Sequence, residues 1–382
     1  MDTSTLMSGS KTRRIISLDV MRGVVIALMI MVNNNGSRAA YRQMKHSVWN
    51  GWTLTDLVFP SFLLMVGTTI VFSTEARLAK GTTRREILLH ILQRALVLFC
   101  LGIIVNGFPS FPLATLRIYG VLQRIALCYF VVSILYLLSR RVMTFVCLTI
   151  GALTAYYILM RWVPLPGFGV PGRDIPFLDP YCNWVAVMDR AIFPHRLNDH
   201  VRDPEGLLST LPAIGTTCLG VLTALWLRLQ GTAARKTAGL LVGAVVGIVA
   251  GEFWNIWFPI NKNLWTSSYV LFAAGCTLLV FSLCYMLLDA KQWRGWWTFP
   301  MVVFGSNAIT AYMVSELLAE TLQSIHLQCG GKLLTLKGCI YARFFAHLVN
   351  PAFGSLLYSL SFVSICFIPN LLLYRKRIFL KV

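Results

Sequence analysis

A chain of 382 residues that is 57% hydrophobic and only 13% charged carries too little charge to cover a water-facing surface of its size, for which about 25% is usual. Its formal charge of +19 would point to nucleic acid in a soluble protein. Here, however, the basic residues sit mostly in short loops between long apolar runs, a pattern of membrane topology and anionic headgroups, so nucleic acid is not expected as a partner.

The first run, Ile15–Asn34, follows Lys11, Arg13 and Arg14. It lasts about 20 residues, enough to span a bilayer and longer than a signal-peptide core. It ends in Asn33-Asn34-Asn35-Gly36 without a small-residue cleavage site, so a retained first helix is expected. Further spans are expected near 55–74, 87–106, 116–138, 142–162, 207–227, 237–258, 265–288, 298–318 and 345–373. The last is long and contains Pro369, which predicts a tilt or an end outside the bilayer. The expected fold is therefore all-α, a polytopic bundle of about ten transmembrane helices. It comprises a tail over 1–14, one transmembrane domain over 15–374 with a long loop at about 163–206, and a basic tail over 375–382. That loop is rich in Pro and Gly at first and then amphipathic near Trp184–Phe193; a connector and a lid are both open readings.

Ten spans put both termini on one side. Eighteen Lys and Arg residues fall on that side and thirteen on the other, with Arg22, Arg94 and Arg124 inside spans. The richer side is the cytoplasmic one by the positive-inside rule, so both termini are expected in the cytoplasm. Seven of the ten cysteines lie inside apolar runs as small buried hydrophobes. Cys329 and Cys339 fall in an outer loop, where a disulfide between them stays open. No Cys/His spacing suits zinc.

Charges inside spans need a partner or a wet cavity. Asp19 and Arg22 are three apart on one helix face. They form either an internal ion pair or a carboxylate that holds Arg22 toward an anionic ligand. Arg22 and Arg94 each lie about seven residues from the cytoplasmic ends of their spans, about 10 Å deep at 1.5 Å per residue. They are expected to line a vestibule for a phosphorylated or polar cofactor. Arg124, in the other half of the membrane, is expected to brace the core by pairing with Glu252 or Asp56.

The first outer loop concentrates Lys45-His46-Ser47-Val48-Trp49-Asn50-Gly51-Trp52-Thr53-Leu54-Thr55-Asp56 at the bilayer edge. Trp49 and Trp52 read as interfacial anchors. Asp56 reads as part of a helix cap with Thr53 or Thr55. His46 is either an ordinary loop residue or a general base oriented by a carboxylate such as Asp56. A second polar cluster, Pro259 to Ser268, reads as a capped connection or as an acceptor pocket with Lys262 as its charged donor. Asn307, in Gly305-Ser306-Asn307-Ala308, sits inside the ninth span, where an amide can bond a neighbouring helix.

Several of these stretches, taken in order along nearly the whole chain, resemble the heparan-α-glucosaminide N-acetyltransferase family. They are Ser17-Leu18-Asp19-Val20-Met21-Arg22-Gly23; His46 through Asp56 to Val58-Phe59-Pro60; Val121-Leu122-Gln123-Arg124-Ile125; Asp203-Pro204-Glu205-Gly206; Asn261-Lys262 with Leu264-Trp265-Thr266-Ser267; and Gly305-Ser306-Asn307-Ala308. The resemblance implies a transmembrane acetyltransferase with acetyl-CoA as cytosolic co-substrate, no metal, and an amino-sugar or glycan acceptor on the far side. It implies His46 as catalytic residue, Asp56 as its assistant, and Asn33 (or Asn35) as the assisting amide. Arg22, Arg94 and Arg124 are the cofactor-binding candidates, and Lys262, Trp265 and Asn307 the substrate-binding ones. Direct transfer and an acetyl-histidine intermediate both stay open. The animal lysosomal enzyme has a large lumenal domain ahead of its membrane core, and nothing of that kind precedes Ile15. The expectation is thus a bacterial-type membrane core in the inner membrane, acting on a periplasmic amino sugar or cell-wall glycan, with a homodimer as a further expectation. The rival class is a small-molecule or sugar transporter, which ten spans with buried charges also fit, although the one internal echo, Leu92-Gln93-Arg94-Ala95 and Leu122-Gln123-Arg124-Ile125, is slight.

Overall fold

The computed structural model describes residues 15–199, 201–348 and 350–379. The basic segment 1–14, His200 and Lys381 of the sequence reading lie outside the described residues. The polytopic all-α expectation is met. Where no water is present to satisfy free amides, a chain crosses as helices, and among the described residues nine are long and apolar enough to do so, or ten if one bent pair counts as a crossing. They are α1 (Ile16–Asn33), α2 (Leu54–Leu78), α3 (Arg84–Gly107), α4 (Val121–Leu138), α5 (Val142–Trp162), α7 (Thr210–Arg228), α8 (Ala233–Asn255), α9 (Ser267–Tyr285, continued by a π turn to Ala290) and α13 (Pro351–Arg375). The amphipathic stretch of the long loop is α6 (Trp184–Ile192), too short to cross.

Three boundaries depart from expectation. The ninth span is not one helix over 298–318 but two, α10 (Thr298–Ser306) and α11 (Ala308–Ser324), bent by 84°. The break is at Asn307, whose φ and ψ of −129° and 46° leave the helical region and whose Nδ2 donates to the Ile378 carbonyl at 3.1 Å. The fourth span starts at Val121 and not near 116, because Arg117 turns away to meet two acidic groups of the long loop. The final helix starts at Pro351 and not near 345, and runs on through Pro369. Ahead of it lie a hairpin, β1 (His326–Cys329) and β2 (Lys332–Thr335), paired antiparallel with His326 opposite Thr335, and α12 (Leu336–Phe344). A Cys329–Cys339 disulfide ties the hairpin to α12.

The bundle closes where small residues let backbones touch, since lipid gives no hydrophobic drive between helices. α2 and α7 are the most enclosed spans and α5 and α8 the most outward-facing. A Cβ on Gly67 would lie 2.0 Å from the Thr217 carbonyl oxygen, and one on Gly220 2.1 Å from that of Leu64. The same device joins two motifs nearly 300 residues apart. A Cβ on Gly23 would lie 1.8 Å from the Met301 oxygen, and one on Gly305 1.9 Å from the Asp19 oxygen. Helices α1 and α10 therefore meet backbone to backbone at Asp19–Gly23. Gly305→Ala is expected to lower the melting temperature of detergent-solubilised protein, by an overpacking cost of about 1–3 kcal/mol. Gly151→Ala, with open space around it, is expected to leave the melt unchanged or raise it.

Candidate functional site

Asp56 is the residue around which the loop between α1 and α2 is built. Thr53 and Asp56 form a capping box at the start of α2, which satisfies amides that the first helical turn leaves free. The Asp56 Oδ2 accepts from the backbone N–H of Thr53 and of Ser47, each at 3.0 Å. Its Oδ1 lies 2.7 Å from the Nδ1 of His46. The carboxylate is 1% exposed and the imidazole 49%, so the anchor is buried and the ring it holds is presented. An ionised carboxylate only accepts. Nδ1 therefore carries a proton, and in the neutral ring Nε2 keeps the lone pair.

Lys262 comes to the same ring from the connection between α8 and α9, its Nζ 3.0 Å from Nδ1 and 3.2 Å from Nε2. Two bonds lock the loops together: Gly51 N–H donates to the Ile260 carbonyl at 2.8 Å, and the Asn261 amide to Asn50 Oδ1 at 3.1 Å. Burial pushes the Lys262 ammonium below its ordinary range, while Glu205 and Asp56 oppose that shift. Trp49, expected as a lipid anchor, is a strut instead. Its indole donates to the Leu178 carbonyl at 2.8 Å, and Arg202 stacks on it at 4.3 Å.

The long loop is fastened down beside this site. Arg117 pairs with Asp203 through Nε at 2.7 Å and Nη2 at 2.6 Å, and with Glu205 at 2.6 Å. Burial works against the Arg117 charge, but its two carboxylate partners outweigh it and hold the guanidinium above its usual range. Burial likewise pushes Glu205 up, and Arg117, Arg124 and Lys262 together bring it below the usual carboxylate value. Arg124, fully buried in the first turn of α4, donates to Gly206 O at 3.1 Å and to Ser209 Oγ, and stacks on Trp265 at 4.9 Å. It pairs with neither Asp56 nor Glu252. The latter is exposed near the end of α8 and is bonded by Asn255.

At the other end of the bundle is a cavity of about 720 Å³. Arg22 and Arg94 both line it, joined by Arg77, Lys80 and His90, with Asp19 as its one carboxylate among the described residues. Asp19 accepts from Arg22, Arg94 stacks on Tyr129 at 4.7 Å, and Arg77 lies 2.7 Å from the His90 Nε2. The Nε atoms of Arg22 and Arg94 are buried with no hydrogen-bond partner. Unused donors in a cationic cavity fit the oxygens of a phosphate. The first residues of α11, Ala308 and Ile309, also line it, so a helix N-terminus with free amides adds to the preference for an anion. Phe62 of α2, Leu98 of α3 and Ile125 of α4 form its outward end. Asp56 is six residues from Phe62 along α2, about 9 Å at the helical rise. His46 does not itself line the cavity.

None of the remaining candidates bonds the His46 ring among the described residues. Asn33, exposed at the end of α1, donates to Glu316 at 3.2 Å and lines a shallower cavity of about 620 Å³ with Asn35, Arg38, Lys45 and Lys337. Asn35 braces the loop by donating to the carbonyls of Val32 and Met44 at 3.0 and 2.7 Å. Trp265 is fully buried, its indole donating to Thr216. Asn307 is at the α10–α11 break, beside the inner cavity and away from His46. Arg77, Lys80 and His90 are new to the site. In the sequence they look like loop charges and a surface histidine, and their signal is their position near the α2–α3 connection, at the ends of those helices far from His46. Among the described residues no group of three or more His, Cys, Asp or Glu side chains is arranged to hold a metal ion.

These features define a polytopic membrane protein with a carboxylate-oriented imidazole at one end of its bundle and a cation-lined cavity reaching toward it from the other. The chain belongs to the family described as heparan-alpha-glucosaminide N-acetyltransferase, catalytic, whose model matches residues 14–238. That stretch holds Arg22, His46, Asp56, Arg94 and Arg124 but not Lys262. The chain is 29% identical over 361 residues to heparan-alpha-glucosaminide N-acetyltransferase of Mus musculus, covering 81% of this chain and 54% of that protein. It is 30% identical over 358 residues to the protein of the same name from Homo sapiens, covering 79% and 53%. The chain thus spans about half the length of the curated relatives it matches.

Asp189 of α6 gives the loop a pH dependence. Burial foremost, with Asp203 nearby, pushes its carboxyl up from 3.8 to about 6. The folded protein therefore holds this proton more tightly than the unfolded chain does. The resulting stabilisation is complete below about 3.8 and is lost as pH rises through about 6. Melting of the wild type is expected to weaken between pH 5 and 7 by on the order of 2 kcal/mol more than melting of Asp189→Asn. Parallel melts over this range would refute that assignment.

Proposed function

We propose that this chain is a membrane acetyltransferase that takes acetyl-CoA into the inner cavity and passes the acetyl group to an amino sugar at the His46 end of the bundle. The observation that carries this reading is the pairing of His46 with Asp56 at the head of the helix whose inner half walls the cationic cavity. Family membership and the names of the relatives agree with it. Arg22, Arg77, Lys80 and Arg94 would hold the phosphates. The apolar end at Phe62, Leu98 and Ile125 would receive the pantetheine arm, which must pass this layer to bring the thioester to the ring. His46 Nε2 then takes a proton from the acceptor amine as its nitrogen bonds to the acetyl carbon. The carbon–sulfur bond breaks, and the thiolate leaves toward the cavity and takes up a proton. Lys262 is placed to stabilise the developing oxyanion.

The cavity end is assigned to the cytoplasm, with the termini. The Lys/Arg excess on that side supports this, as does the Cys329–Cys339 bridge on the His46 side, where an oxidising compartment is needed. A bacterial inner membrane suits this arrangement, with a periplasmic amino sugar or glycan as acceptor. No observation favours a transporter.

Purified protein given acetyl-CoA and glucosamine is expected to release CoA, and His46→Ala to lower that turnover by roughly 10²–10⁴-fold while keeping the thermal shift produced by CoA. Undiminished turnover in the variant would end this reading. Asp56→Asn should also fall by roughly 10²-fold or more. Its carbonyl can still cap α2, but its NH₂ then faces Nδ1 and drives the imidazole into the other tautomer. Arg77→Ala and Arg94→Ala are each expected to weaken CoA binding by about tenfold, the cost of a lost charged hydrogen bond, with turnover at saturating acetyl-CoA reduced much less.

A further inference from the structure

We propose that the inner cavity reads the phosphates of its donor at two levels, and that the level at its mouth, Arg77 with Lys80, seats the phosphate on the 3′-oxygen of the ribose. The site then selects CoA thioesters over their 3′-dephospho forms. This rests on the reading of the cavity as the acetyl-CoA site and deepens it.

The cations that line the cavity are not at one depth. Arg77 is the last residue but one of α2, and Lys80 follows in the turn beyond that helix. Arg22 is six residues past the start of α1, about 9 Å at the helical rise. Arg94 is four residues past His90 on α3, one turn or about 6 Å further from the mouth. Its guanidinium rests on Tyr129 of α4 at 4.7 Å. Tyr129 is seven residues, about 10 Å, deeper than Tyr136, whose hydroxyl donates to Glu75 beside Arg77 in the chain. Arg22 and Arg94 thus form a deep level, next to the apolar end at Phe62, Leu98 and Ile125, and Arg77 and Lys80 form an outer one.

The outer level is prepared for an anion in its own way. An arginine is charged at all working pH values and can only donate. The His90 Nε2, 2.7 Å from Arg77 Nη2, is therefore the acceptor, and the imidazole holds the guanidinium fork in place without adding a charge of its own. Among the described residues neither Arg77 nor Lys80 has a carboxylate partner. In the deep level Arg22 donates to Asp19, while the Nε atoms of Arg22 and Arg94 are buried without a partner.

A CoA thioester carries its phosphates in a matching order. The pantetheine arm, directed to the apolar end, begins on a diphosphate. The adenosine follows, and its ribose bears a third phosphate on the side away from the thioester. With the diphosphate at Arg22 and Arg94, the third phosphate falls at the mouth. There a fixed guanidinium fork and a neighbouring ammonium supply the charged donors that phosphate oxygens take best. Cations at the deep level alone would hold the diphosphate equally well with or without that third group.

Titration calorimetry of the full chain in detergent, with CoA and with 3′-dephospho-CoA at one ionic strength, tests this. Wild type is expected to bind CoA about tenfold or more tightly than 3′-dephospho-CoA, the factor of one charged hydrogen bond. Arg77→Ala should bring the two affinities to within about threefold, by weakening CoA and sparing the dephospho form. Lys80→Ala should narrow the gap in the same direction. Arg94→Ala should weaken both ligands alike and keep the wild-type ratio. Lys80 is exposed and lies past the end of α2, so its variant decides the matter if Arg77→Ala does not fold. Equal affinities in wild type overturn the two-level reading and leave the cavity a CoA site. A wild-type ratio that survives both Arg77→Ala and Lys80→Ala also overturns it. Binding of neither ligand by the wild type sinks the donor reading itself.

Discussion

The carboxylate of Asp56 does two jobs with one charge. Its Oδ2 closes the first turn of α2, and its Oδ1 sets the tautomer of His46. These cannot be separated. The helix that needs a cap is the most enclosed span of the bundle, and its position fixes the height of the imidazole above the inner cavity. Tyr269 of α9 adds a hydroxyl bond to the Asp56 carbonyl at 2.5 Å, so the pivot is gripped from a third direction. A loop histidine would sample many orientations. This one is referred, through a buried anion, to the rigid part of the protein.

Charge is arranged in two layers, each with its own balance. The outer layer alternates signs: Arg117, Arg124 and Lys262 against Asp56, Asp203 and Glu205. Such a network is nearly balanced in charge, as buried ions require, although Nε and Nη1 of Arg124 have no hydrogen-bond partner. The inner layer is not balanced. Arg22, Arg77, Lys80 and Arg94 face one another with Asp19 as carboxylate, and two guanidinium Nε atoms have no partner. Like charges gathered in a low-dielectric cavity repel unless an anion joins them. The first layer holds a fixed geometry, and the second carries an excess of positive charge that an anionic ligand would balance.

Much of the architecture was legible because hydrophobic length is a local property. Nine crossings follow from runs of apolar residues, and the Asp19–Arg22 pair from a spacing of three. His46 and Asp56 were visible because ten residues separate them in a loop with no other use for an imidazole. Long-range partners were not legible. Arg124 was expected to meet Asp56 or Glu252, yet its bonds go to Gly206 and Ser209 of a loop more than 80 residues on. Arg117 left its helix for the same loop. Arg77 and Lys80 looked like topological charges because nothing local distinguishes a cation at a cavity mouth from one at a headgroup. Trp265 and Lys262, three apart in one motif, have different fates: one is core, and the other touches the ring. The bend at Asn307 was hidden because Gly, Ser and Asn also occur inside continuous membrane helices.

That bend joins distant parts of the chain. Asn307 bonds Ile378, and Phe379 lies in the wall of the inner cavity beside Ser306 and Ala308. Gly305, two residues earlier, rests on the backbone of α1. The doorway to the cation cavity is therefore hung on a single joint, with the first helix as its post and the last described residues as its latch. A ligand that entered there would touch the first helix, at Asp19 and Arg22, and the last described residue, Phe379, together.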